Sequence, residues 1–169
     1  MFALILTVAA SFGLIIVADE AGTDSVAFVI TTVLMGFGFA LFVGNSLEHH
    51  LPRVLWNHLS LSRDASRKWG VHIFNGALSR IGWNKLIFAM REGNSVESTK
   101  SWDPRHMRAA AAGHGWAIVL HSTSSVWAVA TGGWISSVIL IVVGVFGHLY
   151  PVLLQIRVLT TLKEAERRL

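Results

Sequence analysis

Three histidines lie inside stretches that are otherwise almost purely apolar: His114 and His121 in one, His148 in another. Ionisable groups in hydrocarbon are costly and mark functional sites unless a neighbour satisfies them. His114 and His121 are seven residues apart, so on a helix they share nearly one face, with Ser125 a further turn along. His148 and Gln155 have the same spacing in "GHLYPVLLQIR" (residues 147–157), where Pro151 removes a backbone donor and leaves the carbonyl of Gly147 without its usual partner. That predicts a kink beside His148. Imidazoles near neutral pKa suit general-base chemistry, and the glutamine amide or the phenol of Tyr150 could stabilise an oxyanion. For each histidine alone, a hydrogen bond to a neighbouring helix is an equally adequate explanation.

The elements that must position them follow from hydropathy. With 53% hydrophobic and 14% charged residues among 169, and a mean hydropathy of +0.54, the chain reads as a single all-α, polytopic membrane domain. Four apolar stretches approach the length needed to cross about 30 Å of hydrocarbon: residues 2–18, 26–44, 109–130 and 134–156. The first has no basic residue before it and no clean small-x-small cleavage site, which favours a span over a signal peptide. Ten of the fourteen Lys and Arg fall between residues 53 and 108 and four follow the last span. Both termini and the long central segment are therefore expected on the cytoplasmic side of the cell membrane.

Antiparallel third and fourth spans allow depths to be compared. Counted from their inner ends, His114 lies roughly 8 Å deep, His148 roughly 12 Å and His121 roughly 18 Å. The three are expected to meet in the inner half of a four-helix bundle. Between the second and third spans, residues 45–108 form an interfacial segment. Within it, Val71, Phe74, Leu78, Ile81 and Trp83 recur at roughly helical spacing, predicting an amphipathic helix over residues 69–90 with Arg80 and Lys85 at the headgroups. Residues 92–101 read as a loop, after which Asp103 and Pro104 offer an N-cap and a first-turn proline to the third span.

Other features are weaker. Glu48 precedes His49 and His50 at the end of the second span, where a carboxylate could tune a histidine, although adjacent helical residues point apart. Gly36 and Ala40 in "MGFGFA" suit close helix packing. No cysteine is present, so thiolate metal sites and disulfides are excluded, and no HExxH-like spacing argues for a metal. The charge of +4 and pI near 10.1 point to anionic lipids or a phosphate-bearing cosubstrate rather than nucleic acid, because the bases border membrane spans.

The ordered motifs "LPRVLW" (51–56), "LSRIGWNKLI" (78–87), "RHMRAAAAGHGWAIVLH" (105–121) and "LYPVLLQIR" (149–157) together resemble the glycosyl-4,4'-diaponeurosporenoate acyltransferases, small membrane enzymes of carotenoid biosynthesis. The resemblance covers about residues 45–165. Where that family follows the glutamine with Arg-Tyr-Asn-Arg, this chain has Ile156, Arg157 and Val158. The resemblance implies transfer of a fatty acyl group from acyl-CoA or another donor to a hydroxyl of a glycosylated isoprenoid lipid, with no bound cofactor. On that reading His148 is the base, His121 or His114 its partner, and Gln155 or Tyr150 a donor, while Arg80, Lys85 and Arg157 hold the cosubstrate's phosphates. Two other classes fit the residues. One is a non-catalytic subunit of a larger membrane complex or a homo-oligomer, with the seven tryptophans as anchors and contacts. The other is a b-type haem protein, with facing histidines as axial ligands.

Overall fold

The computed structural model describes residues 1–82 and 104–167, and these residues are helical with no strand among them. Four long helices run up and down: α1 (Phe2–Ala21), α2 (Val26–His50), α6 (Pro104–Ala130) and α7 (Trp134–Glu166). Three short helices, α3 (Arg53–His58), α4 (Arg63–Lys68) and α5 (Val71–Arg80), lie between α2 and α6 in the chain. One end of the bundle therefore carries the start of α1, the end of α2, the start of α6 and the end of α7. Most of the described basic residues are at this basic end.

Helix boundaries follow local chemistry. Gly22, at φ +82, ends α1 in a conformation that side chains disfavour. Ser25 then caps α2, its hydroxyl accepting from the Phe28 amide at 3.1 Å. Pro52 forces Leu51 into extended backbone and closes α2. Across the far end, the hydroxyls of Thr23 and Thr131 share a hydrogen bond that ties the α1–α2 turn to the α6–α7 turn.

Helices α1, α2 and α7 are long and apolar enough to cross a membrane. At 27 residues, α6 is long enough, at about 40 Å, but it is not among the helices apolar enough to span on composition. The reason is its place in the bundle: it packs against both α2 and α7, and its buried positions include His121, Ser124 and Ser125. A helix enclosed by others does not need an apolar surface all round. The outward side chains of its neighbours are apolar instead, among them Leu4, Phe12, Leu34, Leu41, Ile135 and Ile139. The chain is thus an all-α, membrane-embedded protein.

Small residues make the centre. Gly36, Ala40 and Gly44 recur every fourth residue along α2, and Ala109, Gly113 and Ala117 do so along α6; all six are buried. A Cβ on Gly44 would run into the Ala109 carbonyl, and one on Gly113 into that of Ala40. The two backbones therefore touch, as small-xxx-small faces allow. Side chains then join the helices pairwise. Trp116 donates its indole N–H to Thr7 at 2.9 Å, Ser125 and Ser137 pair at 2.7 Å, and Phe28 meets Trp127 edge to face.

Several expectations change. The second and fourth long helices continue past the predicted spans at the basic end, to His50 and Glu166, because the polar residues there continue the helical ladder; α1 runs on to Ala21 at the other end, and α6 starts at the expected first-turn proline, Pro104. The amphipathic helix is shorter than residues 69–90: it begins after Gly70, at φ +67, and ends at Arg80, with Gly82 at φ +78 closing the turn. Trp83, Lys85, the loop over 92–101 and the Asp103 cap lie outside the described residues. Pro151 is preceded by a π-helical segment, Gly144–Leu149, where the Tyr150 amide reaches back five residues to the Val145 carbonyl. The wider turn accommodates the proline without breaking the helix.

Candidate functional site

The π-helical turn carries His148 into the bundle, where α6 presents His114 and His121 on either side of it. His148 is 0% and His121 1% exposed. The Nδ1 atoms of His114 and His148 are 3.0 Å apart, so one ring donates to the other. The His121 ring stands 4.7 Å from His148 between centroids, and that of His114 5.3 Å. On its remaining side His148 meets Phe37 of α2 at 4.4 Å, a residue whose outer part is exposed.

Hydrogen bonding fixes part of the proton arrangement. His121 Nδ1 lies 2.9 Å from the Ala117 carbonyl, which can only accept, so that nitrogen carries a proton. In the neutral ring its Nε2 is then a bare acceptor. That Nε2 and the Nε2 of His148 are both buried without a hydrogen-bond partner. Unsatisfied polar atoms are rare in helix interiors and frequently accompany chemistry. The His114–His148 bond has the form that orients a catalytic base: one ring nitrogen is held by a second group while the other stays available.

Space for the rings comes from glycine. A Cβ at Gly36 would press against the His121 ring and come within 3.3 Å of His148 Nε2, and one at Gly144 would meet the His121 Cβ at 3.3 Å. The α2 ladder that brings the backbones together at Gly44 therefore opens, two turns away, onto the histidines. Continuing the α6 ladder from Ala117 by four residues lands on His121. This extended four-residue register was the available sequence signal for Gly36 as part of the site rather than of packing alone.

The other predicted site residues are elsewhere. Tyr150 leaves the cluster: its ring stacks on Phe146 at 5.6 Å and packs on Phe74 of α5 at 5.1 Å. The slower rotation of the π-helical turn and the aromatic partners on α5 direct it outward. Gln155 is about 10 Å further along α7, half-buried, with its Oε1 unpartnered. Arg157 donates to the Leu61 carbonyl at 3.1 Å and lies 3.7 Å from Glu164, tying α7 to the segment after α3. Lys163 secures the same region by donating to the Trp56 carbonyl at 2.6 Å. Arg80 is exposed at the end of α5, and Lys85 lies outside the described residues.

Glu48 does not serve its neighbouring histidines. Its carboxylate accepts from Arg108 at 2.9 and 3.0 Å and faces Arg105 at 3.4 Å, both one turn apart on α6. Arg105 also donates to His49 Nε2, while His50 Nδ1 binds the Ser46 carbonyl at 2.6 Å. Opposite charges across the α2–α6 contact outcompete the adjacent imidazoles, whose helical directions differ from that of Glu48.

Among the described residues, no group of three or more His, Asp or Glu side chains is arranged to hold a metal ion. His114 and His148 bond directly, and the His121 ring lies against that of His148. What the fold and this site define is a multi-helix membrane protein with a buried histidine cluster. The chain matches no known family, no curated protein and no solved structure.

Proposed function

We propose that this protein is a membrane acyltransferase that moves a fatty acyl group onto a hydroxyl of a glycosylated isoprenoid lipid, using His148 as general base. The observation that carries the reading is the contact of buried His148 with buried His121 and half-buried His114, with His148 Nδ1 engaged by His114 and its Nε2 unpartnered. With His148 donating from Nδ1 to His114, its Nε2 lone pair takes the proton as the hydroxyl oxygen attacks the acyl carbonyl. The tetrahedral intermediate then expels the donor's leaving group, which recovers that proton from His148. His114 is a positioning residue, supporting the imidazolium through the shared hydrogen bond. His121, an acceptor at Nε2, accepts from a neighbouring hydroxyl of the sugar and so helps to position it. Apolar helices around the cluster keep water from competing for the acyl group.

The motif resemblance at residues 78–87, 105–121 and 149–157 is the second support. The clustering of bases at one end supports a basic end facing the cytoplasm of the cell membrane, with both termini there. Lipid mass spectrometry of cells with the gene intact, deleted, or carrying His148→Ala tests the reading. A glycosylated isoprenoid should lose the mass of one acyl chain in both altered strains. Unchanged lipids in all three would overturn it and favour a structural subunit.

A further inference from the structure

A pocket of about 280 Å³ opens at the basic end, where the end of α2, the start of α6 and α3 meet. Its lining includes Arg53, Arg105 and Arg108 against one carboxylate, Glu48, leaving a surplus of two positive charges. Glu48 holds two of these guanidinium groups in place rather than cancelling all three. The Arg105 side chain is 53% exposed and that of Arg108 27%.

Trp56 gives independent evidence. It lines the same pocket, is 6% exposed, and its indole Nε1 is buried with no acceptor among the described residues. Buried indole N–H groups normally find a partner. The arginines and the indole are donors only, so the complementary ligand is an anion rich in acceptor oxygens. A carboxylate offers two coplanar oxygens, whereas donors here arrive from two sides, α6 and α3. Tetrahedral phosphoryl oxygens meet that arrangement, and guanidinium forks suit them.

We infer that this pocket binds the phosphoryl group of an anionic amphiphile through Arg53, Arg105, Arg108 and the Trp56 indole N–H. The phosphate belongs either to an anionic phospholipid headgroup or to a soluble cosubstrate. Binding here is independent of the acyl-transfer reading and is measured without turnover.

The test uses the full-length protein in nanodiscs of phosphatidylcholine, either doped with phosphatidylglycerol or titrated with coenzyme A. Native mass spectrometry counts retained phosphatidylglycerol, and calorimetry reads coenzyme A. Saturable binding of the first identifies the headgroup as source, and of the second the soluble cosubstrate. In either case Arg53→Gln and Trp56→Phe should each weaken binding at least about tenfold, as loss of a charge-assisted or buried donor implies. Neither substitution touches the Glu48 pairing, and a thermal melt at the wild-type temperature establishes that each variant is folded. Absence of saturable binding of both probes, or wild-type binding by both folded variants, would overturn the inference.

Discussion

The middle of the bundle and its basic end use similar residue types to opposite ends. In the middle, His114, His121 and His148 meet one another, a backbone carbonyl, Phe37 and two glycines, and two ring nitrogens remain unpartnered. At the basic end, His49 and His50 sit among charges and carbonyls that engage them, and Glu48 is committed to arginines. Histidine is thus available for chemistry where neighbours are apolar and occupied where they are ionic. Proximity in sequence to a carboxylate is a poorer guide than enclosure.

The largest effect that would break this contrast is a Cβ branch at the α2–α6 crossing. Gly113→Leu would drive a side chain into the Ala40 carbonyl, so it should destabilise the bundle by about 3 kcal/mol or more, the upper end of overpacking costs. Loss of the folded peak on size exclusion in mild detergent reports it. Next, His148→Ala should reduce acyl transfer about a hundred- to ten-thousand-fold, the range of a general base, while the thermal midpoint shows the fold retained. At the basic end, Glu48→Gln should cost only about 1 kcal/mol, because Arg105 is half exposed and solvent screens that side. Added salt should narrow the difference between this variant and wild type. The smallest effect is expected for Ser125→Ala, which removes the bond to Ser137. It should lower stability by about 0.6 kcal/mol, the average for such bonds within membranes, as read in a chemical melt.

Much of the fold was legible because it rests on periodicity and hydropathy. The meeting of the three histidines was legible too, since seven-residue spacing and antiparallel depths place His148 between His114 and His121. Local sequence did not reveal partners chosen across helices. Glu48 is drawn to Arg105 and Arg108, 57 and 60 residues away in the chain, and nothing beside it announces them. Tyr150 follows a different logic: its outward direction depends on the π-helical turn and on Phe74, neither of which a regular helical projection includes. The burial of Trp56 under the α2–α6 end comes from packing against Ala111 and Ala112, far along the chain from it. The third stretch is less apolar than its neighbours because the buried positions of α6 include His121, Ser124 and Ser125, which the packing against α2 and α7 accommodates.

The most direct test of the central claim is nitrogen-detected NMR of the full-length protein in nanodiscs with ¹⁵N-labelled histidine. A through-hydrogen-bond coupling between the Nδ1 atoms of His114 and His148 is expected, with a neutral His121 protonated at Nδ1 and bare at Nε2. His114→Asn should remove the coupling and leave the His121 signals in place. Absence of the coupling in folded wild-type protein, together with His121 protonated at Nε2, would contradict the proposed histidine arrangement.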